Sequence, residues 1–185
     1  MKREAAKKLF DQMHPDFFHL PYIASIEKGR IFEEQTLFLE DFSADALKIP
    51  VPEGIRFGFF EGDFEELHKK VDVVSKNWAQ YFNKREEIFC AYDGDQVVSF
   101  CLLDNMGEHE HEGRKVKVGG PGCVGTIPAY RKRGIGLRMV QLGTQILKER
   151  GYDVSYIHYT SVGPWYAKLG YETLLKWDRD GIVEE

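Results

Sequence analysis

A basic glycine loop at residues 131–136, with the sequence RKRGIG, constrains the fold of this chain more than any other feature. The residues after it place apolar side chains at helical spacing, namely Ile135, Met139, Leu142 and Ile146. Gly151 then supplies a helix stop. Valines alternate through the stretch before the loop, and Pro128 cannot donate a ladder hydrogen bond, so a strand ends there. The pattern predicts a strand, a loop and a helix in that order.

The same loop has the chemistry of a phosphate cradle. Glycines without a Cβ let the backbone turn its N–H groups toward a ligand, and a helix N-terminus adds donors and a positive dipole end. Arginine grips phosphate oxygens two at a time. Neither the P-loop nor the dinucleotide fingerprint is satisfied, because Met139 stands where the latter needs its third glycine. The loop therefore predicts pyrophosphate binding of another kind.

Residues 128–136, PAYRKRGIG, resemble the R-x-x-G-x-G cofactor motif of the GCN5-related N-acetyltransferases. The resemblance continues at residues 166–171, YAKLGY, which match the end of that family's short helix. It is close from Cys123 to Thr173 and extends back to about Ile55. It implies an α/β (α+β) fold with a mixed, mostly antiparallel central sheet flanked by helices, in which the fourth and fifth strands splay apart.

The resemblance also implies an activity, the transfer of an acetyl group from acetyl-CoA to an amine in a ternary complex. It implies that pyrophosphate is held by the loop, that is by Arg131, Lys132, Arg133, Gly134, Ile135 and Gly136. Val124 and Thr126 would contact the pantetheine arm. Glycine and proline at residues 119–122 are consistent with a bulge there. Tyr166 matches the family's tyrosine acid, which protonates the leaving thiolate.

Two positions depart from the family pattern. The general base is usually a carboxylate on or near the fourth strand, yet residues 115–127 contain no Asp or Glu. Four nearby acids remain open as candidates, namely Asp104, Glu108, Glu110 and Glu112. Tyr159 occupies the position of an asparagine that touches the cofactor in many members.

Two other functions stay open alongside catalysis. A non-catalytic acyl-CoA-binding sensor or scaffold would need the cradle but no base. A nucleic-acid contact would use the loop cations, although the net charge of −5 disfavours nucleic acid as a partner. The expected partner is a small-molecule or peptide amine. The amine's identity and homodimerisation are left open by the sequence.

The chain divides, on this interpretation, into an N-terminal extension packed on the domain at residues 1–54 and an acetyltransferase domain at residues 55–185. The extension carries an amphipathic helix at residues 1–12 and a strand-like stretch at residues 29–39. The domain begins with a strand at residues 55–60. A helix follows from an Asp63 cap to about Asn83.

An Asp-Gly turn predicts a hairpin of residues 88–92 and 96–103. Residues 104–114 are polar, and we expect a solvated loop there. Its His109 and His111 lack a third ligand in sequence, so no metal site is predicted.

The cysteines, Cys90, Cys101 and Cys123, lack the spacing of a zinc knuckle or disulfide frame. We expect buried or half-buried free thiols. No apolar run reaches the roughly 18 residues that span a bilayer, and residues 1–10 lack a signal-peptide core. These patterns predict a cytoplasmic protein.

Overall fold

The computed structural model describes residues 3–184, apart from the side chains at positions 3, 6 and 184. The α-helices are α1 Arg3–Met13, α2 Pro21–Ala24, α3 Phe64–Val74, α4 Ile135–Glu149 and α5 Gly163–Ala167. The strands are β1 Phe32–Phe38, β2 Ile55–Phe59, β3 Ile88–Asp93, β4 Gln96–His111, β5 Arg114–Thr126, β6 Val154–Thr160, β7 Glu172–Asp178 and β8 Gly181–Glu184. Within this part of the chain, no helix is both long enough and apolar enough to cross a bilayer.

The described strands form one eight-stranded sheet in the order β2-β3-β4-β5-β6-β1-β7-β8. Most neighbours are antiparallel. β5 and β6, the fourth and fifth strands counted from Ile55, are parallel and pair at Val118↔Val154 and Gly119↔Ser155. β5 continues beyond these pairs to Thr126. The predicted fold class, a mixed and mostly antiparallel sheet flanked by helices, is confirmed.

The chain forms two compact units, which we name by their place in the sequence. The terminal unit comprises the chain up to Asp41, Asn105–Gly119 and the chain from Gly151. The central unit comprises Phe42–Asp104 and Gly120–Arg150. In the terminal unit β1 is hydrogen-bonded on both sides, to β6 and to β7. The boundary predicted near residue 54 stays a prediction.

Each unit has its own apolar core. In the central unit, Leu67 and Val71 lie on the inner face of α3 and pack in one cluster with Phe82 and Phe100. Asp63 caps this helix, since its carboxylate accepts the N–H of Glu65 at 2.8 Å. The core of the terminal unit contains Leu9 of α1 together with Val116, Val118, Val154, Tyr156 and Leu174.

Two elements differ from the sequence prediction. The helix predicted to reach Asn83 ends at Val74, where Ser75 takes an extended conformation, and a short 3₁₀ helix at Ala79–Tyr81 follows. The helix ends early because the polar residues 75–77 come directly after Val74, and Ser and Asn favour turns over helix interiors. The solvated loop predicted at residues 104–114 was also wrong. β4 runs through it to His111, and the chain turns at Glu112 and Gly113, both with positive φ.

Candidate functional site

The predicted cradle lies in the central unit at the start of α4. Gly134 is the N-cap of this helix, has φ 78°, and offers no side-chain hydrogen bond to the first turn. An α-helix leaves its first N–H groups without intrahelical partners. Arg131, Lys132 and Arg133 precede them and are exposed. The loop therefore combines backbone N–H donors that no side chain caps with three long, exposed cationic side chains. This combination suits the binding of a pyrophosphate.

Contacts within the central unit set the shape of this loop. The Nε atom of Arg131 donates to the Thr126 carbonyl at 2.9 Å, which ties the loop to the end of β5. Tyr130 donates its hydroxyl to Asp93 at 2.8 Å. The guanidinium of Arg133 lies 5.2 Å from the centre of the Tyr130 ring. Arg131 thus helps to hold the loop against the end of β5, whereas the charged groups of Lys132 and Arg133 are exposed to solvent.

The segment Phe42–Pro50 runs along α4. Hydrogen bonds join Arg138 to the Ala44 carbonyl at 3.1 Å and Gln141 to the Leu47 carbonyl at 2.8 Å. An added Cβ at Gly134 would overlap the Pro50 carbonyl oxygen. Gly134 is therefore required by its positive φ and by this close approach.

β5 is distorted where the sequence places glycines and a proline. Cys123 has φ 47°, which few residues with a Cβ adopt, and Gly125 lies so close to the Phe100 ring that a Cβ would fall 2.5 Å from it. Ser99 donates to the Gly125 carbonyl at 2.8 Å. We call this distorted stretch of β5, residues 122–125, the β5 bulge. Val124 and Thr126, predicted to contact pantetheine, are half-buried within it or next to it. Their role stays a prediction.

Asp104 stands apart from the other three acids that the sequence left open. Its carboxylate lies against the backbone of Gly122, because a Cβ there would collide with its Oδ2 atom. Burial raises the pKa of Asp104 to about 6, and Glu87 adds to the effect. Glu108, Glu110 and Glu112 are exposed instead. Asp104 is the acid at the bulge of β5.

Tyr166 lies on α5 in the terminal unit and is 6% exposed. Its ring packs edge-on against Trp165, with centroids 4.8 Å apart, and against Tyr171 at 5.9 Å. The Tyr171 hydroxyl is hydrogen-bonded to Ser155 at 2.7 Å. These contacts set the orientation of the Tyr166 ring. The structure thus assigns the cradle to one unit and the predicted acid to the other.

Sequence reasoning missed a buried carboxylate in the terminal unit. Glu34 is 0% exposed and accepts hydrogen bonds from Trp177 Nε1 at 2.7 Å and from the Tyr159 N–H at 3.1 Å. His158 Nδ1 lies 2.9 Å from its other oxygen. The register of β1 shifts on both of its sides beside Glu34, and such bulges re-aim side chains. The available signal was an acidic pair inside a strand pattern.

The cysteines are free, as predicted. Burial raises the pKa of the Cys90 thiol to about 12 and that of Cys123 to about 12, while the pKa of Cys101 is also raised by burial. A thiol must ionise to act as a nucleophile. These environments disfavour cysteine catalysis.

His109 and His111 lie on β4 and have different surroundings. A ring nitrogen of His109 is 2.6 Å from the Met106 carbonyl oxygen, whereas His111 is buried beside Phe38 with ring centroids 5.4 Å apart. Neither belongs to the group of described residues whose donor atoms converge as a metal site would need. The predicted lack of a metal site at this pair remains a prediction.

Solved structures with this fold are numerous but distant in sequence. A GCN5-related glucosamine N-acetyltransferase region of a fungal multi-domain GH3 β-N-acetylglucosaminidase is 21% identical, with a TM-score of 0.65, over 81% of this chain and 20% of that one. A GCN5-related N-acetyltransferase from Sphaerobacter thermophilus is 19% identical, with a TM-score of 0.58, over 80% and 50%. One from Kribbella flavida is 15% identical, with a TM-score of 0.53, over 79% and 55%. The chain thus spans about half or less of these three relatives.

No curated protein matches the sequence significantly. The sequence model described as Acetyltransferase (GNAT) domain matches residues 61–174, which is more than half of the chain and includes the cradle, the bulge and Tyr166. The chain therefore belongs to the GNAT acetyltransferase family.

Proposed function

We propose that this protein transfers the acetyl group of acetyl-CoA directly to an amine acceptor within a ternary complex. Family membership supports acyl transfer as the class of reaction. The proposal of acetyl-CoA as the acetyl donor depends on the cradle. The proposed proton transfers depend on Asp104 and Tyr166. Each role below is assigned from the contacts of the residue concerned.

The observation that carries the proposal is the uncapped start of α4. Gly134 provides no side chain to the first-turn N–H groups, so these donors remain for a ligand. The exposed cations Lys132 and Arg133 stand directly before them. A pyrophosphate with two negative charges fits both features. Acetyl-CoA carries such a group and supplies the thioester that an amine attacks.

Asp104 is our candidate for the general base. An alkylammonium has a solution pKa near 10.4, so its proton must leave before nitrogen attacks a thioester. A carboxyl with a pKa of about 6 is ionised at neutral pH and still accepts a proton more readily than an ordinary aspartate. Asp104 lies on β4, and its carboxylate faces Gly122 of β5, the strand on or near which the family usually carries its base.

Tyr166 is our candidate for the general acid. A phenol can donate its proton to a departing alkyl thiolate. The ring is buried and held by its neighbours Trp165 and Tyr171, so its hydroxyl has a defined direction. Val124 and Thr126 are proposed to contact the pantetheine arm through the backbone of β5.

The acceptor is proposed only as a class, an amine on a small molecule or peptide. The fungal relative is described as a glucosamine N-acetyltransferase region, so an amino sugar belongs in the first panel of acceptors. Polyamines, amino acids and peptides with free N-termini or lysines complete the panel.

Calorimetric titration with acetyl-CoA tests whether the protein binds the proposed acetyl donor. We expect micromolar binding that weakens about tenfold or more in Arg133→Glu, since the variant reverses one charge at the cradle. Lys76→Glu is the matched control, because Lys76 is an exposed cation of the same unit outside the loop, and its binding should not change. Charge reversal is preferable to substitution of Gly134, because any side chain added there would overlap the Pro50 carbonyl and disturb the loop itself.

Release of free thiol from acetyl-CoA in the presence of the amine panel tests the reaction. Binding without release for every amine would favour the acyl-CoA-binding sensor or scaffold instead. Failure of the wild-type protein to bind acetyl-CoA would refute both functions. Binding to an oligonucleotide with a steep salt dependence would then favour the nucleic-acid contact.

A further inference from the structure

Three potential metal ligands meet in the terminal unit, and none of them has been assigned a role in acetyl transfer. His14 follows α1, Glu34 lies on β1 and His158 lies on β6. One donor atom from each falls within 4.8 Å of the other two. Two imidazoles and a carboxylate are a donor set that Zn²⁺ commonly takes.

The Glu34 carboxylate is already oriented as a ligand would be. Its Oε1 atom accepts from Trp177 and from the Tyr159 N–H, which leaves Oε2 directed at His158 Nδ1, 2.9 Å away. Hydrogen bonds from outer groups to a ligating carboxylate are the usual way in which proteins hold it in place. One carboxylate oxygen is therefore held by Trp177 and Tyr159, and the other faces a second potential ligand, His158.

His14 contributes an unsatisfied buried atom. Its Nε2 is buried without a hydrogen-bond partner among the residues that the structure describes. Unpaired buried polar atoms are rare in proteins and call for an explanation.

We propose that His14, Glu34 and His158 bind one divalent transition-metal ion of the Zn²⁺ class. The ion would take the place of the hydrogen bond between His158 Nδ1 and Glu34 Oε2, and the proton of that bond would pass to solvent. Zinc bonds of roughly 2.0–2.2 Å to nitrogen and oxygen require these atoms to be about 3.4 Å apart in a tetrahedral site. Their present separation of 2.9 Å needs to grow by only a few tenths of an ångström.

The His14 ring has to turn to complete the site. It is now stacked on His158, with ring centroids 4.0 Å apart and an angle of 16° between planes, and stacked rings do not aim their lone pairs at one point. A cleft of about 400 Å³ borders His14, with Asp11 and His19 also in its lining. This space gives the ring room to rotate and gives the ion a path from solvent.

Binding would join three parts of the terminal unit that are far apart in sequence. The metal would link the segment after α1 to the bulge of β1 and to β6. A ligand that binds only the folded state stabilises it by RT ln(1 + L/Kd), where L is the free ligand concentration, so the apparent melting temperature rises with the logarithm of the ligand concentration once the site is saturated. Zinc should therefore stabilise the protein whether or not an acetyl acceptor is present.

The test uses untagged full-length protein, freed of metal by a chelator and titrated with Zn²⁺ against a chromophoric competitor. We expect one equivalent to bind and the melting temperature to rise. Co²⁺ should give visible d–d absorption. His14→Phe keeps a ring in the stack but removes the ligand, and it should weaken binding at least tenfold and abolish the shift in melting temperature.

His19→Ala is the matched control, since its imidazole is exposed in the same segment, and it should bind zinc as the wild type does. If His14→Phe does not fold by circular dichroism, Glu34→Gln is titrated in its place with the same expectation. The proposal is overturned if the wild-type protein takes up no zinc. In that case a water molecule would be the hydrogen-bond partner of His14 Nε2. Equal affinity in the wild type and the ligand variant also overturns it.

Discussion

Two carboxylates, the buried Glu34 of the terminal unit and the half-buried Asp104 of the central unit, have opposite surroundings. Glu34 is fully buried and has hydrogen-bonding partners on both oxygens. Among the residues that the structure describes, no hydrogen bond reaches the Asp104 carboxylate, and burial raises its pKa to about 6. A satisfied carboxylate holds its neighbours in place, whereas an unsatisfied one is available for proton transfer. The difference lies in the donors around each group.

The largest expected effect is that of Asp104→Asn on turnover. Loss of a general base reduces the rate by about 10²–10⁴-fold, while the affinity for acetyl-CoA should remain. In the wild type, kcat/KM should fall as pH drops below about 6, because the base is then protonated. Steady-state rates from pH 5 to 9 provide the check. Full activity in the variant would remove Asp104 from the mechanism.

The same substitution should have the reverse effect on stability. A carboxyl whose pKa is raised from 3.8 to about 6 by folding stabilises the folded state fully below the lower value and loses that contribution as pH rises through the higher one. At pH 8 the wild type carries an ionised, poorly solvated group that the asparagine variant lacks. The variant should therefore melt at a higher temperature at pH 8, which thermal unfolding measures.

Glu34→Ala should destabilise the protein by about 3–5 kcal/mol, since it leaves Trp177, the Tyr159 N–H and His158 without their acceptor. Urea unfolding in chelator-treated buffer gives the free energy of unfolding. Glu27→Ala removes an exposed carboxylate from the same unit and should change it by less than about 0.5 kcal/mol. Similar losses in the two variants would contradict the contrast between satisfied and exposed acids.

Tyr166→Phe should lower turnover by about 10- to 1,000-fold and leave acetyl-CoA affinity unchanged, because the variant lacks the hydroxyl proposed to protonate the leaving thiolate. The phenylalanine ring retains the edge-on contacts with Trp165 and Tyr171. Turnover and calorimetric affinity are measured on one preparation. A variant that turns over normally would assign Tyr166 to packing alone.

The smallest expected effect compares two glycines of the central unit. Gly134→Ala combines the strain of positive φ with overlap on the Pro50 carbonyl, and we expect a loss of about 2–3 kcal/mol. Gly94→Ala has positive φ but nothing within 4 Å of the added Cβ, so about 1 kcal/mol is expected. Urea unfolding of both variants separates close packing from strain. Equal losses of unfolding free energy in the two variants would show that the close approach of Pro50 to Gly134 adds nothing to the cost of the substitution.

The sequence alone determined the features that depend on neighbours in the chain. Helical spacing after the glycine loop predicted α4, the Asp-Gly pair predicted the turn between β3 and β4, and Asp63 was recognised as a helix cap. The family resemblance supplied the fold class. Such signals are legible because glycine conformation, capping and amphipathic period act over a few residues.

Only the tertiary structure decided which acid lies at the β5 bulge, and only it gathered His14, Glu34 and His158. Asp104, Glu108, Glu110 and Glu112 look alike in sequence, but burial against Gly122 distinguishes one of them. Likewise β1 becomes an inner strand through pairing with β6 and β7, more than a hundred residues away in sequence. Burial and hydrogen bonding are properties of surroundings assembled from distant segments, so no local pattern encodes them.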